Sequence, residues 1–500
     1  MLPGVAFSQI NHMEAAVRLL NQGQVAQAEA EARQALSNPT TRALALSMLG
    51  TIRLQEGQYD ESANFLNQAL ALNPNLAGAR TTLGDAYVLQ GKPELAKKSF
   101  REVLKLDPHN FNARFDLVKL EASQHNFQQS LATARPIMSE LVKSDESILV
   151  LATDYGALGK KEELKRLVSS WQRLSAPSDE SSLEFGDILA GYGMEAEAKT
   201  VFEAEEIRIA AHPSPALALK LGNSYLALRM LDHAEKNSEL ALSLAPDCTA
   251  CDESLAEIAD RQQNTEKALA YLVAAKKREP ENPEVLFEFG KVCLERNLVD
   301  DAMTALEKAV ALKPDQDSYV YFLGSANVAR GDLPKAASLF AELLQKKPHD
   351  AILNYAVGAV YYLQAKYTEA ESSLKQSLAA QPDQVAASYY LGLTYDAIGD
   401  DDRAVPVFRD LLQGHPQHAP SYVKLGGILL REHQYDEAQQ DLERAVLLDP
   451  DSVEAHYQLG LLFRRLGKTA EAESQLAESS KLETEHRAQK GVRLHLLLPD

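Results

Sequence analysis

The sequence predicts an all-α chain arranged as an α-solenoid of antiparallel helix hairpins. Three series along the chain predict it. First, a small residue recurs every 34 positions: Ala16, Gly50, Gly84, Val118, Ala152 and Gly186, then, after a slip of two residues, Gly222, Ala256, Gly290, Gly324, Gly358, Gly392, Gly426 and Gly460. Second, another mostly small residue follows each of these by 12 positions: Ala28, Ser62, Ala96, Ser130, Leu164, Ala198, Ala234, Ala268, Ala302, Ala336, Ala370, Ala404, Ala438 and Ala472. Third, prolines recur in the same register at Pro74 and Pro108, and from Pro246 through Pro280, Pro314, Pro348, Pro382 and Pro416 to Pro450. A period of this length marks stacked helical hairpins, each too small to bury its apolar face alone.

Each series has a physical reading. Glycine inside a helix costs about 1 kcal/mol relative to alanine. Ten glycines at the first position therefore need a compensating contact, expected to be close packing of Gly in the first helix against Ala in the second. Proline lacks an N–H and disfavours helix in the residue before it, so it is expected to end the second helix. The hairpin turn in the second half is marked at Arg229, Gln263, Asn297, Gly331, Ala365, Gly399, His433 and Gly467.

In the unit Ala351 to Gln384, Val357, Gly358 and Tyr361 fall on the first helix and Ala365 and Tyr367 at the turn. Ala370, Leu374 and Leu378 fall on the second helix and Pro382 closes it. The chain thereby resembles the tetratricopeptide repeat (TPR) family, with about 14 tandem repeats over residues 9–482. The likeness weakens over 111–213, where Val118 and Leu164 replace small residues and the prolines lapse. The resemblance implies a right-handed superhelix whose concave face is lined by first helices.

Four segments are expected: 1–8 at the N-terminus, a first array over 9–213, a regular array over 214–482, and a capping helix with tail over 483–500. The slip near His212-Pro213-Ser214-Pro215 predicts a change of curvature or a mobile joint at 211–216, short of a true linker. Trp171, the one tryptophan, reads as filler for a loosened unit.

Composition narrows the function. Net charge is −20. Residues 1–110 hold 10 basic and 10 acidic residues, so the excess falls on the remainder. An acidic field disfavours nucleic acid and anionic lipid and favours a basic protein or peptide partner. No apolar run reaches the roughly 18 residues of a membrane span. Few thiols suit a reducing compartment and point to the cytoplasm. Leu2 to Ser8 resembles the tail of a signal peptide, which leaves a periplasmic or secreted origin as the alternative.

Catalytic patterns are missing: there is no His-Glu-x-x-His, Gly-x-Ser-x-Gly or phosphate-cradling glycine loop. No cofactor is expected. Cys248 and Cys251 form Cys-Thr-Ala-Cys between two repeats, and Cys293 is the third thiol. No histidine follows Cys251 for haem attachment, no second cysteine pair completes a zinc site, and no βαβ pattern flanks the pair. The pair is read as inert, with a local disulfide, a redox role or a metal contact as weaker alternatives.

The expected function is a non-enzymatic scaffold holding a peptide or protein segment in the concave groove, with self-association through the ends as the alternative. The resemblance places the residue three before each small position on the groove. Here it reads Phe287, Tyr321, Tyr355, Tyr389, Val423 and Tyr457, an aromatic stripe that either touches a ligand or packs between hairpins. The family's carboxylate clamp is not supported: Asn223 is paired with Leu219, and Glu284 and Glu288 stand where the clamp has basic groups.

Overall fold

The computed structural model describes residues 4–175 and 177–488, with side chains described between residues 12 and 485. Every regular element in that range is a helix. The chain divides into two compact units, Met1–Leu244 and Ala245–Asp500. Each consists of seven helix hairpins.

The hairpins follow the 34-residue register closely. In one representative repeat the first helix runs Ala351–Leu363 and the second Tyr367–Ala380. Wherever a proline of the third series is present, the second helix ends two residues before it, as at Leu72, Leu244, Lys346 and Leu448. Several of these proline carbonyls accept a hydrogen bond from a side chain of the next repeat. Arg80 donates to Pro74 (2.8 Å), Arg114 to Pro108 (2.6 Å) and Asn354 to Pro348 (3.1 Å).

The tight contact inside each hairpin differs from the expected Gly–Ala pairing. The space beside each glycine is filled by the residue 16 positions later. A Cβ built on Gly358 would lie 2.7 Å from Leu374 Cγ, one on Gly392 2.6 Å from Phe408, and one on Gly426 2.6 Å from Leu442. The small residue 12 positions on contributes its backbone: its carbonyl lies 3.2 Å from the Gly222 position and 3.4 Å from Gly290. The reason is that helical side chains lean toward the N-terminus, so a side chain covers the turn before its own Cα. Ser62 and Ser130, at the 12-residue offset, donate hydroxyls to the Gly50 and Val118 carbonyls (2.7 and 3.1 Å).

All fourteen hairpin turns contain one residue in the left-handed region. Eight are glycine; the others are His125, Arg229, Gln263, Asn297, Ala365 and His433. The geometry lets the next amide reach back to cap the first helix, as Lys366 N–H does to the Tyr361 carbonyl (2.9 Å) and Asp332 N–H to Asn327 (2.8 Å).

The contact-based division between units falls at Leu244/Ala245, one hairpin beyond the 213/214 division of the repeat register. The two-residue slip is absorbed by a long second helix, Glu195–Ala211. The next helix, Pro215–Ala227, packs on both Asp179–Gly191 and Glu195–Ala211. At the other end, Thr469–Ala488 is one continuous helix. The expected cap therefore continues the last repeat as far as it is described, and the tail lies outside the described residues. The expected N-terminal segment 1–8 is helical from Gly4, within Gly4–Asn21.

The degenerate repeats also have physical causes. Pro136 breaks the second helix of the fourth repeat into Phe127–Ala134, a tight turn at Arg135–Ile137 and Met138–Leu141. Trp171 is buried and stacks on Phe185 of the next repeat with ring centroids 4.5 Å apart, consistent with its reading as filler.

Gly358→Leu is expected to lower unfolding free energy by about 1–3 kcal/mol through overpacking against Leu374, measured by chemical denaturation. A midpoint equal to the parent would contradict the hairpin contact. Ala365 has φ of 56°, so Ala365→Gly should raise stability by about 0.5–1 kcal/mol by removing left-handed strain. A lower melting temperature for that variant would contradict it.

Candidate protein-interaction groove

Within each unit, first helices pack on the first helices of neighbouring repeats, as Ala77–Leu89 does on Phe111–Ser123 and Ala351–Leu363 on Val385–Ala397. Among the described residues no second helix packs comparably on the next second helix. First helices therefore crowd together and form the inner face of each unit.

In the first unit, three first helices, Ala77–Leu89, Phe111–Ser123 and Asp145–Ala157, border a cavity of about 610 Å³. Its wall carries Asp85, Asp116 and Glu146 beside Phe111, Phe115 and Lys119. Phe111 and Phe115 lie 5.9 Å apart, and the Lys119 ammonium sits 4.8 Å over the Phe115 ring. Lys119 also pairs with Asp116 (3.2 Å) and Glu146 (3.3 Å). Burial works against its charge, but these two carboxylates hold its pKa above the usual value. Asp85 is left outside that pairing. Burial first, then the Asp116 charge, push its pKa up to about 6. Burial also raises Asp116, against the opposing Lys119.

The second unit repeats the pattern at its first two repeats. Burial raises Glu253, helped by Glu279, Glu284 and Glu288. Burial and then Asp260 raise Glu295. Lys291 pairs with Glu288 at 2.8 Å and reaches Asp260 at 4.0 Å.

The aromatic stripe is not uniformly presented. Tyr321, Tyr355 and Tyr389 are 6%, 2% and 7% exposed. Tyr321 packs against Phe340 (5.2 Å) and Tyr389 against Phe408 (6.0 Å), each on its own second helix. Tyr355 packs against Tyr390 of the next repeat (5.9 Å). Phe287 is half-buried and stacks on Tyr319 (4.6 Å), while Tyr457 is 48% exposed. The rings of Tyr321, Tyr355 and Tyr389 are thus covered, and Phe287 and Tyr457 keep surface. The paired carboxylates were missed in sequence. Asp85 follows its small residue by one and Asp116 precedes the next by two, a diagonal that a search at fixed register skips.

Cys248 and Cys251 are joined by a disulfide. Among the described residues no group of three or more His, Cys, Asp or Glu is placed to hold a metal ion. No helix among them is long and apolar enough to cross a membrane.

Hairpins stacked in register, with an inner face built from first helices, make the chain a helical-repeat protein. Tetratricopeptide repeat profiles match residues 50–91, 77–110, 261–324, 355–419 and 423–482. The chain belongs to the tetratricopeptide repeat family, and as such is a protein–protein interaction scaffold. No curated protein matches it in sequence. Solved structures similar to it include a tetratricopeptide repeat protein from Parabacteroides merdae (17% identity, TM-score 0.45, covering 50% of this chain and 98% of that one). Others are the APC/C hetero-tetramer Cut9-Hcn1 (15%, 0.40, covering 99% and 96%) and yeast Tom70 (14%, 0.38, covering 97% and 97%).

One buried carboxylate on the helix Asp145–Ala157 has a measurable consequence. Asp154 is fully buried, and neither carboxylate oxygen has a hydrogen-bond partner. Burial pushes its pKa up to about 6; the nearby Ser130 hydroxyl opposes the shift and Glu121 adds to it. A carboxyl whose folded pKa exceeds its unfolded value costs stability as pH rises through that window, and the full cost applies above about pH 6. Asp154→Asn is therefore expected to stabilise the protein near neutral pH by up to about 3 kcal/mol and to do little near pH 4. Denaturation at the two pH values checks this; equal effects at both would refute it.

Proposed function

We propose that the inner faces bind a basic, extended segment of a partner protein, with the principal subsite in the first-unit cavity. A lysine or arginine side chain would lie between Asp85 and Asp116, its aliphatic stem against Phe111 and Phe115. The observation that carries this reading is the state of those carboxylates. Burial raises both, the Asp116 charge adds to the shift of Asp85 and the Glu146 charge to that of Asp116, and Lys119 is shared with Glu146, so the cavity has an excess of negative charge that a cation would relieve. Glu253 and Glu295 give the inner face of the second unit the same character. Phe287 and Tyr457 supply apolar contact surface there, with Tyr321, Tyr355 and Tyr389 setting the wall behind them.

Fluorescence anisotropy with extended Lys/Arg-rich and Glu-rich peptides of equal length tests the proposal. The basic peptide should bind and weaken with salt. The double variant Asp85→Asn, Asp116→Asn should lose about tenfold or more in affinity, on the order of 1.4 kcal/mol. Lowering pH from about 7.5 to about 5.5 should also weaken binding, because a carboxyl with a pKa of about 6 gains a proton and loses its attraction for the cation. Equal binding of the two peptides, or an unaffected double variant, would rule this subsite out.

A further inference from the structure

Cys248 and Cys251 bracket the first turn of the helix Thr249–Arg261. Cys248 is its N-cap: the Sγ accepts a hydrogen bond from the Cys251 N–H at 3.1 Å. The two sulfurs differ in access, since Cys248 is half-buried and Cys251 fully buried. An incoming thiolate therefore meets the Cys248 sulfur first. The remaining thiol, Cys293, is fully buried and its pKa is pushed up to about 12 by burial, so it does not compete.

The surrounding chain is held without help from the disulfide. The Arg278 guanidinium donates to the Pro246 carbonyl (2.6 Å) and pairs with the buried Asp252 carboxylate, clamping both flanks of the pair. A disulfide closing so short a loop restricts the unfolded chain less than a long-range one does. The bond thus reads poorly as a structural staple. Opening it would leave two thiols side by side on an intact helix terminus, where backbone amides and the helix dipole favour a thiolate.

We propose that Cys248 and Cys251 form a thiol–disulfide exchange site that accepts two electrons from a dithiol, with Cys248 the attacked sulfur and Cys251 the resolving one. In the first step one thiolate of the dithiol attacks Cys248 Sγ. An intermolecular disulfide forms, the Cys248–Cys251 bond breaks, and Cys251 leaves as a thiolate and takes up a proton. In the second step the other thiolate of the dithiol attacks its own sulfur in the mixed disulfide. The partner closes to a disulfide and Cys248 leaves as a thiolate beneath the Cys251 N–H. The dithiol is oxidised by two electrons and the protein disulfide is reduced by two; the reverse sequence returns them. This inference is independent of the groove and of its occupant.

The full chain, equilibrated in mixtures of reduced and oxidised dithiothreitol, then quenched with acid and alkylated in denaturant, tests it. The thiol count should rise from one to three and fall back to one, reversibly, with an unchanged helical circular-dichroism signal before the quench. The melting temperature should move by no more than about 3 °C between the two states. Two variants assign the roles. Cys251→Ser, given oxidised glutathione, should trap a mixed disulfide at Cys248, at least about tenfold faster than Cys248→Ser traps one at Cys251. The proposal fails if the disulfide stays closed in excess dithiothreitol in the folded chain. It fails equally if reduction collapses the helical signal, or if the two variants trap glutathione at the same rate.

Discussion

The structure depends on one contact made inside each hairpin: a small residue on the first helix faces a side chain 16 positions later on the second. Where the first residue is glycine, the second is usually Leu or Phe, as in Gly84 with Phe100 and Gly460 with Leu476. Gly222 faces Ser238. Where the first residue has a Cβ the residue 16 positions later varies: Ala32 after Ala16, Ala134 after Val118, Val168 after Ala152 and Leu272 after Ala256, all buried. The fourth repeat keeps the hairpin with large and small transposed.

This explains what the sequence disclosed. The glycine series is legible because glycine in a helix is costly and its recurrence needs a reason. The proline series is legible because proline acts on the backbone in any context. The identity of the packing partner was misjudged because sequence spacing does not reveal which way a side chain leans. The aromatic stripe met a related limit. The register of Tyr355 identifies its face of the helix, but its depth depends on Tyr390 in the following repeat, which covers it. Asp85 and Asp116 sit at different register positions, so their proximity arises only when two repeats stack.

Carboxylates with raised pKa values do not all have the same meaning here, and their surroundings separate them. Glu206 is buried, yet Lys236 (2.7 Å) and His233 (3.0 Å) hold its pKa below the usual value against that burial. Asn237 and the Tyr225 hydroxyl complete the cluster, a satisfied structural network. Asp154 is fully buried, where no solute reaches it, so its raised pKa is a cost to stability. Asp85 carries a comparable shift while facing a cavity. Only the last combines an electrostatic deficit with access, which is what a binding site needs.

The cavity also falls where the repeat register is weakest. Its three bordering helices belong to the third, fourth and fifth repeats, and the fourth carries Val118 and the helix broken at Pro136. Irregular units are commonly read as decay of an ideal repeat. Here a different reading fits better. In the second unit successive tyrosines of the first helices are buried. In the first unit the repeat with the broken second helix is the middle one of the three that border the cavity. The departures from the 34-residue pattern and the charged cavity thus coincide in one stretch of the chain, and the regular third repeat supplies one wall of that cavity through Asp85.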